Sequence, residues 1–366
     1  MTNAASALKK TEIRKIFPAI DERYELLGSK PIGAASGFGA VWKATDKWLG
    51  RDVALKFSNQ DMTDELSLCR DIEGQTVRVY DYFRSDNCWN AYAMELLDSP
   101  WISVSGFIKH HKYKIGDLQH YFDTFEIAQS LLSGLGHIHG RPYSRAGRFV
   151  HADVKPDNLF LRLLPKKRPR TVFRLPAAAT LVKIIDMGIS TENGHYLMGH
   201  TPDYSPKKPY ARRGVDFYAV AVTFLELLTG KRPSKEVLGH KARIRAFVEK
   251  MSSGSVYFDE VAIEFARNCA TASTRPGETA RVHTRHLEDY VFGLDGLELI
   301  AIRAICKNYP DGASKSILAD FLFGILAPTK QWKNQTEYRI EAMKEMVKNL
   351  YLNEELVLRG QTYFPR

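Results

Sequence analysis

The sequence predicts an α+β fold, with strands gathered before residue 96 and helices dominating the remainder of the chain. Two patterns carry that expectation. Short runs of alternating character occupy Thr76–Phe83 and Ala91–Leu96, as half-buried strands require. A longer run with apolar residues at helical intervals occupies Asp123–His139, as a buried helix face requires, and Gly214–Gly230 is a second long apolar run. With 366 residues and 44% hydrophobic content, the chain can bury a substantial core.

Taken in order, the elements begin with the glycine-rich stretch Gly33-Ala34-Ala35-Ser36-Gly37-Phe38-Gly39-Ala40-Val41 and the run Val53-Ala54-Leu55-Lys56. Glu65, Leu68 and Cys69 show the spacing of a helix whose charged residue is backed by a core face. The two alternating strands come next, then the helix over Asp123–His139. The apolar run Gly214–Gly230 is too short and interrupted to cross a bilayer, so a membrane helix is the weaker reading. Further helices are expected over Leu299–Leu326, and Gln331–Leu358 reads as an amphipathic helix that braces the domain or binds a partner. The expected organisation is an N-terminal extension (1–23), a β-rich lobe (24–95), a helical lobe (96–326) with insertions at 162–180 and near 252–286, and a C-terminal helical extension (327–366).

The chemistry concentrates in His151-Ala152-Asp153-Val154-Lys155-Pro156-Asp157-Asn158, followed by Ile184-Ile185-Asp186-Met187-Gly188. These stretches resemble the catalytic core of the eukaryotic-type (Hanks-type) serine/threonine protein kinases. With Lys56 and Asp216 the resemblance extends over about Tyr24 to Leu326. It implies a bilobal fold, ATP and Mg2+ as cofactors, and a protein bearing a Ser/Thr acceptor as substrate. Phosphoryl transfer needs the hydroxyl aimed, the metal held and the spreading charge neutralised. The resemblance assigns the first task to Asp153 and the last to Lys155. It gives the metal to Asn158 and Asp186, whose oxygens suit magnesium because that ion takes few protein ligands.

The same resemblance makes Lys56 the lysine that grips the α- and β-phosphates. Glu65 is its expected partner on the first large helix, only nine positions on (65 − 56), so the helix must be clipped at its start; Asp64 or Asp61 are alternatives. The glycine-rich stretch resembles the hairpin over ATP, where glycine lets backbone amides approach phosphate oxygens. Counting back from Val41 leaves Gly39 in place with Ser36 and Ala34 at the other glycine positions, whereas a one-residue insertion restores Gly33 and Gly37. Met94 is the expected gatekeeper, the backbone of Glu95 to Leu97 faces adenine, and Ala54 and Phe160 complete the nucleotide contacts. Asp216 corresponds to the acid that clamps the catalytic loop, and Thr201-Pro202-Asp203-Tyr204-Ser205-Pro206 resembles the loop that receives the substrate hydroxyl.

Three departures bear on regulation. Ala152 stands where many of these kinases carry an arginine that captures an activation-segment phosphate, so Ser190, Thr191 and Tyr196 are not expected to be obligatory on-switches. Pro206-Lys207-Lys208 replaces the family's Ala-Pro-Glu, and Pro310-Asp311-Gly312-Ala313 has alanine where the arginine partner of that glutamate belongs. Losing both together is coherent, since one charge left buried alone would cost about 3–5 kcal/mol. The third departure is the insertion between Asn158 and Asp186, with the basic cluster Lys166-Lys167-Arg168-Pro169-Arg170. A solvated, mobile loop is the plain reading; such a cluster can also dock an acidic protein, nucleic acid or anionic lipid or act as a nuclear address, and of these an acidic partner at Lys166–Arg170 is the expectation and nucleic acid is not.

The 52 Lys+Arg against 42 Asp+Glu speak to association rather than fold. Cys69, Cys88, Cys269 and Cys306 form no C-x-x-C pair, so reduced structural thiols are expected rather than a zinc site or disulfides. The first seventeen residues lack the apolar run of a secretory signal, and a cytoplasmic enzyme, or one delivered into a host cell, is the expectation. Two competing functions share the fold: a small-molecule kinase of the aminoglycoside-phosphotransferase type, against which Lys155, Thr201 and Asp216 argue, and an ATP-binding pseudokinase scaffold, against which the intact Lys56, Asp153, Asn158 and Asp186 argue.

Overall fold

The structure, a computed structural model, describes residues 8–36, 39–72, 74–110, 118–140, 149–163, 180–197, 199, 201–206, 210–251, 256–272, 301, 304–306, 308–326, 343–345, 347–348, 350–352 and 356–365. The fold class is α+β, and the chain divides into two compact units. The first comprises 1–106, 134–162 and 182–216, and the second 107–133, 163–181 and 217–366. The first unit therefore holds both the N-terminal strands and the segments around Asp153 and Asp186.

The first unit opens with α1 (Lys10–Ile16) and α2 (Pro18–Arg23), followed by β1 (Tyr24–Leu26), β2 (Ile32–Ser36), β3 (Gly39–Asp46) and β4 (Arg51–Ser58). Next come α3 (Thr63–Asp71), β5 (Val79–Arg84) and β6 (Asn90–Glu95). The sheet runs β1-β3-β4-β6-β5, with β2 paired to β3. Because strand side chains alternate between faces, Val53, Leu55 and Phe57 of β4 point one way and Ala54 and Lys56 the other. The first set joins Ala40, Trp42, Ala44, Ala91 and Ala93 in a core closed by Ile13, Phe17 and Ile20 of the N-terminal helices. The Phe17 and Phe57 rings lie 5.7 Å apart, and Lys10 Nζ donates to the Leu26 carbonyl at 2.6 Å. The extension is thus built into the sheet, leaving the opposite face, with Lys56, for chemistry.

The hairpin β2–β3 pairs Ile32 with Val41 and Ser36 with Gly39, so four residue steps on β2 (36 − 32) run against two on β3 (41 − 39), a bulge. Gly39 is required where it stands: φ is +148° and a Cβ would lie 2.3 Å from the Phe57 carbonyl oxygen. Gly37 and Phe38 lie outside the described residues.

Continuing along the chain are β7 (Trp101–Ser103), α4 (Val104–His110), α5 (Leu118–Gly140), β8 (Phe149–Val150), β9 (Leu159–Leu163), β10 (Thr180–Ile184) and β11 (Thr191–Glu192). Then come α6 (Arg213–Thr229), α7 (Lys235–Leu238), α8 (Lys241–Met251), α9 (Val256–Ala272), β12 (Ala313–Ser314), α10 (Lys315–Leu326), β13 (Leu356–Arg359) and β14 (Thr362–Pro365). The second unit packs Phe125 of α5 against Phe224 of α6 at 4.9 Å, and Phe224 against Phe265 of α9 at 4.5 Å. The described part of the expected insertion near 252–286 is therefore core: Ala262, Ile263, Ala266 and Cys269 are buried at helical intervals. No helix among the described residues is long and apolar enough to cross a membrane.

The expectation of a helical C-terminal extension over 327–366, with a helix to Leu358, needs correction. Described residues between 343 and 352 are helical, but β13 and β14 form a hairpin that pairs through Thr362 and Tyr363 with Ser314 and Ala313. Leu-Val-Leu and Thr-Tyr-Phe are strand formers, and Gly360 at φ +66° supplies the turn between them. The alanine at the expected arginine position thus lies in a strand. The basic cluster Lys166–Arg170, most of the 162–180 insertion, and Lys207 and Lys208 lie outside the described residues.

Candidate active site

Every described site residue lies in the first unit. On β4, Lys56 is buried and its ammonium lies 2.7 Å from Glu65 on α3 and 2.9 Å from Asp186. Tyr92, opposite Lys56 on β6, donates its hydroxyl to the same Glu65 oxygen at 3.1 Å. Burial pulls the Lys56 ammonium down, but Glu65 first, then Tyr92 and Asp186, reverse this and hold it well above its ordinary value. Burial likewise pushes the Asp186 carboxyl up, and Lys56, helped by His151 and Lys155, outweighs it and holds that group below the usual carboxylate range. Of the alternative partners for Lys56, Asp61 is turned instead to Thr63, accepting its amide at 2.9 Å and its hydroxyl at 2.6 Å, and Asp64 is exposed.

The loop between β8 and β9 is held by Asp216 at the start of α6. Its carboxylate accepts the amides of His151 and Ala152, each at 2.8 Å, and faces His139 Nε2 at 2.7 Å. All of this is buried. Ala152 is bent to φ +68° and Asp186 to φ +62°, a region that costs non-glycine residues about 1–3 kcal/mol and persists only where the surroundings over-determine it. The Asp153 amide donates to His151 Nδ1 at 3.2 Å, so Nε2 carries the proton and donates to the Ile185 carbonyl at 3.0 Å. The Ile185 amide in turn donates to the Asn158 carbonyl at 2.9 Å, tying the segment of Asp186 to the loop between β8 and β9.

The Asp153 carboxylate gathers three donors. Lys155 Nζ reaches Oδ2 at 2.6 Å, Asn158 Nδ2 reaches the same oxygen at 3.0 Å, and the Thr201 hydroxyl donates to Oδ1 at 2.6 Å. Lys155 also lies 3.0 Å from Thr201 Oγ1. Because the amide nitrogen of Asn158 is committed to Asp153, its amide oxygen is the atom left to a cation. Among the described residues no group of three or more His, Cys, Asp or Glu could hold a metal; an ion here would rest on Asn158, Asp186 and a ligand's own oxygens.

Of the expected nucleotide contacts, Val41, Ala54 and Met94 share the Lys56 face of the sheet, whereas Glu95 is paired with Val53 on the other face and Phe160 belongs to another sheet. Ala54 is paired with Met94 and Val41 with Lys56; Gly33 lies in β2 and Phe160 in β9, both strands of this unit. Glu95 and Leu97 are half-buried. The Glu95 carboxylate is held by Lys183 of β10 and by the Arg78 amide, and Lys183 stands over the Trp101 ring. The sequence reading missed Tyr92, His139 and Lys183. Tyr92 was within reach of the strand alternation, since it is two residues from Met94 on the same face.

The sheet, its flanking helix and the loop between β8 and β9 define the protein-kinase fold. The family model described as "Protein kinase domain" matches residues 29–281, and the chain belongs to that family. It is similar to the serine/threonine-protein kinase PrkC of Bacillus subtilis, 25% identical over 231 residues, a match covering 58% of this chain and 31% of that protein. Serine/threonine-protein kinase PknA of Nostoc is 26% identical over 237 residues, covering 59% of this chain and 38% of its own. Serine/threonine-protein kinase ArnS of Sulfolobus acidocaldarius is 31% identical over 114 residues, covering 29% and 17%. The chain therefore spans 17–38% of the length of these three relatives.

Proposed function

We propose that this chain is an ATP- and magnesium-dependent kinase that transfers the γ-phosphoryl group to serine or threonine hydroxyls of a protein, without needing phosphate on its activation segment. The observation that carries the reading is the Asp153–Lys155–Thr201 cluster. There a carboxylate already accepts an aliphatic hydroxyl at 2.6 Å with a lysine ammonium beside both. Asp153 would take and orient the acceptor hydroxyl in the same way, and Lys155 would neutralise charge on the transferring group. Lys56, fixed by Glu65, would hold the α- and β-phosphates. Asn158 and Asp186 would hold magnesium, which supplies charge neutralisation on the phosphate oxygens when bound.

Independence from phosphorylation is supported by Ala152. It lies in an apolar cluster with Val150, Ile189, Leu197, Ala211 and Val215, so side-chain packing occupies the place where an arginine would await a phosphate. Substrates are proteins in this reading, and an acidic partner for Lys166–Arg170 remains part of the proposal.

The test is transfer of label from γ-labelled ATP with magnesium by the wild type and by Asp153→Asn and Asp186→Asn. Label on Ser or Thr that disappears in both variants is expected. Label on an aminoglycoside but on no protein would favour the small-molecule kinase, and ATP-dependent thermal stabilisation without any transfer would favour the scaffold.

A further inference from the structure

After Asp186 the chain passes through β11, which pairs with β8 (Thr191 opposite Val150, Glu192 opposite Phe149). It turns at Gly194, φ +99°, and then meets its own later course. Tyr196 and Tyr210 form an antiparallel bridge. The Ala211 amide donates to the His195 carbonyl at 2.8 Å and the Gly194 amide to the Ala211 carbonyl at 2.6 Å. The two rings meet edge to face, 6.2 Å apart at 86°. They do so although they are 65% and 52% exposed, so the contact is between the rings and not imposed by a surrounding core. Just inside the bridge, Leu197 and Ala211 join the cluster around Ala152. Between the bridged tyrosines lies Thr201, whose hydroxyl is on Asp153.

We infer that the Tyr196–Tyr210 bridge is a clasp that closes the base of this loop and thereby positions Thr201 against Asp153 and Lys155, doing with packing and backbone pairing what a phosphate–arginine contact would otherwise do. Tyr196 and Tyr210 are positioning residues; neither touches the reacting atoms. Pinning the ends of a loop removes closure entropy that the Thr201–Asp153 contact would otherwise have to overcome. The inference rests on the kinase reading for its consequence in catalysis, but not for its consequence in loop order.

The test compares the wild type with Tyr196→Ala/Tyr210→Ala, Tyr196→Phe/Tyr210→Phe, and Tyr196→Cys/Tyr210→Cys, the last with exposed Cys88 and Cys306 changed to serine. The backbone bond runs between neighbours of the two tyrosines, which makes them a non-hydrogen-bonded pair, for which Cα atoms lie about 4.5 Å apart, within reach of a disulfide. The alanine pair is expected to lower kcat about tenfold or more, as loss of positioning does, with ATP affinity within about twofold. The phenylalanine pair should restore kcat, and the cysteine pair should be active when oxidised and lose about tenfold on reduction. Hydrogen exchange at 201–206 should accelerate in the alanine pair and slow again with the disulfide. Unchanged kcat and exchange in the alanine pair, or equal activity of the oxidised and reduced cysteine pair, would overturn the clasp. A wild type that transfers no phosphate would overturn the kinase reading, and the exchange measurement alone would then decide the clasp.

Discussion

Asp216 Oδ1 lies 2.8 Å from the amide nitrogen of Ala152, a residue held at φ +68°. The carboxylate and the bend belong together. A left-handed alanine turns its amide, and that of His151 before it, toward one buried acceptor, and the acceptor keeps the loop from relaxing.

Removing the acceptor is expected to be costly. Asp216→Ala would leave buried donors of His151 and Ala152 unsatisfied and should lose about 3–5 kcal/mol of stability, read from urea unfolding. At the other end of the contact, Ala152→Gly should stay within about 1 kcal/mol of wild type, since glycine accepts positive φ. Ala152→Val should lose about 1–3 kcal/mol, because a branched side chain resists that region. Equal stability of the two Ala152 variants would show that the bend is not under strain.

The Lys56 pair predicts a change in the sign of a pH dependence. With the Asp186 carboxyl held below its ordinary value, its contribution to stability is full above the unfolded pKa of about 4 and lost as pH falls through the lower folded value. In Lys56→Met, burial would dominate and raise the folded pKa of Asp186. Stability should then fall as pH rises from about 4. Urea midpoints for both proteins between pH 3 and 7 measure the difference, and parallel curves would refute it.

The N-terminal helices should carry much of the first unit's stability. Phe17→Ala removes a buried ring packed 5.7 Å from Phe57 on the strand that bears Lys56. A loss of about 3–5 kcal/mol is expected, visible as a lower unfolding midpoint; a loss below about 1 kcal/mol would mean that the helices detach freely.

Activation-segment hydroxyls should be dispensable, but their side chains are not equivalent. Because the Tyr196 ring packs on Tyr210, the informative variant is Ser190→Ala/Thr191→Val/Tyr196→Phe, which removes the hydroxyls at these three positions and keeps the ring. Its kcat is expected within about threefold of wild type, whereas a loss of about a hundredfold would make phosphorylation there obligatory.

Glycine at position 39 predicts a local failure. Gly39→Ala would place a methyl group 2.3 Å from the Phe57 carbonyl oxygen at φ +148°, so strands β3 and β4 must part. ATP affinity should drop together with the unfolding temperature, and a variant that binds ATP and melts like the wild type would show that the two strands tolerate the methyl group.

By itself the sequence determined the elements and the local chemistry. Asp153, Lys155 and Asn158 fall within six consecutive residues, so their grouping needs no knowledge of the fold, and Lys56 and Glu65 meet because a strand and the next helix are short neighbours. Strand alternation pointed to β5 and β6 and helical spacing to α5, whereas β4 and α6 were legible from the family resemblance. Only the tertiary structure decided which distant segments close on one another. It brings His139 to Asp216 across 77 positions, packs Ile13, Phe17 and Ile20 onto one face of a sheet, and turns the end of the expected C-terminal helix, from Leu356 on, into a hairpin on Ala313. It also sets Tyr196 against Tyr210. These contacts depend on loop closure and on shape between residues that carry no shared sequence pattern. Their free energy exists only once the intervening chain has folded.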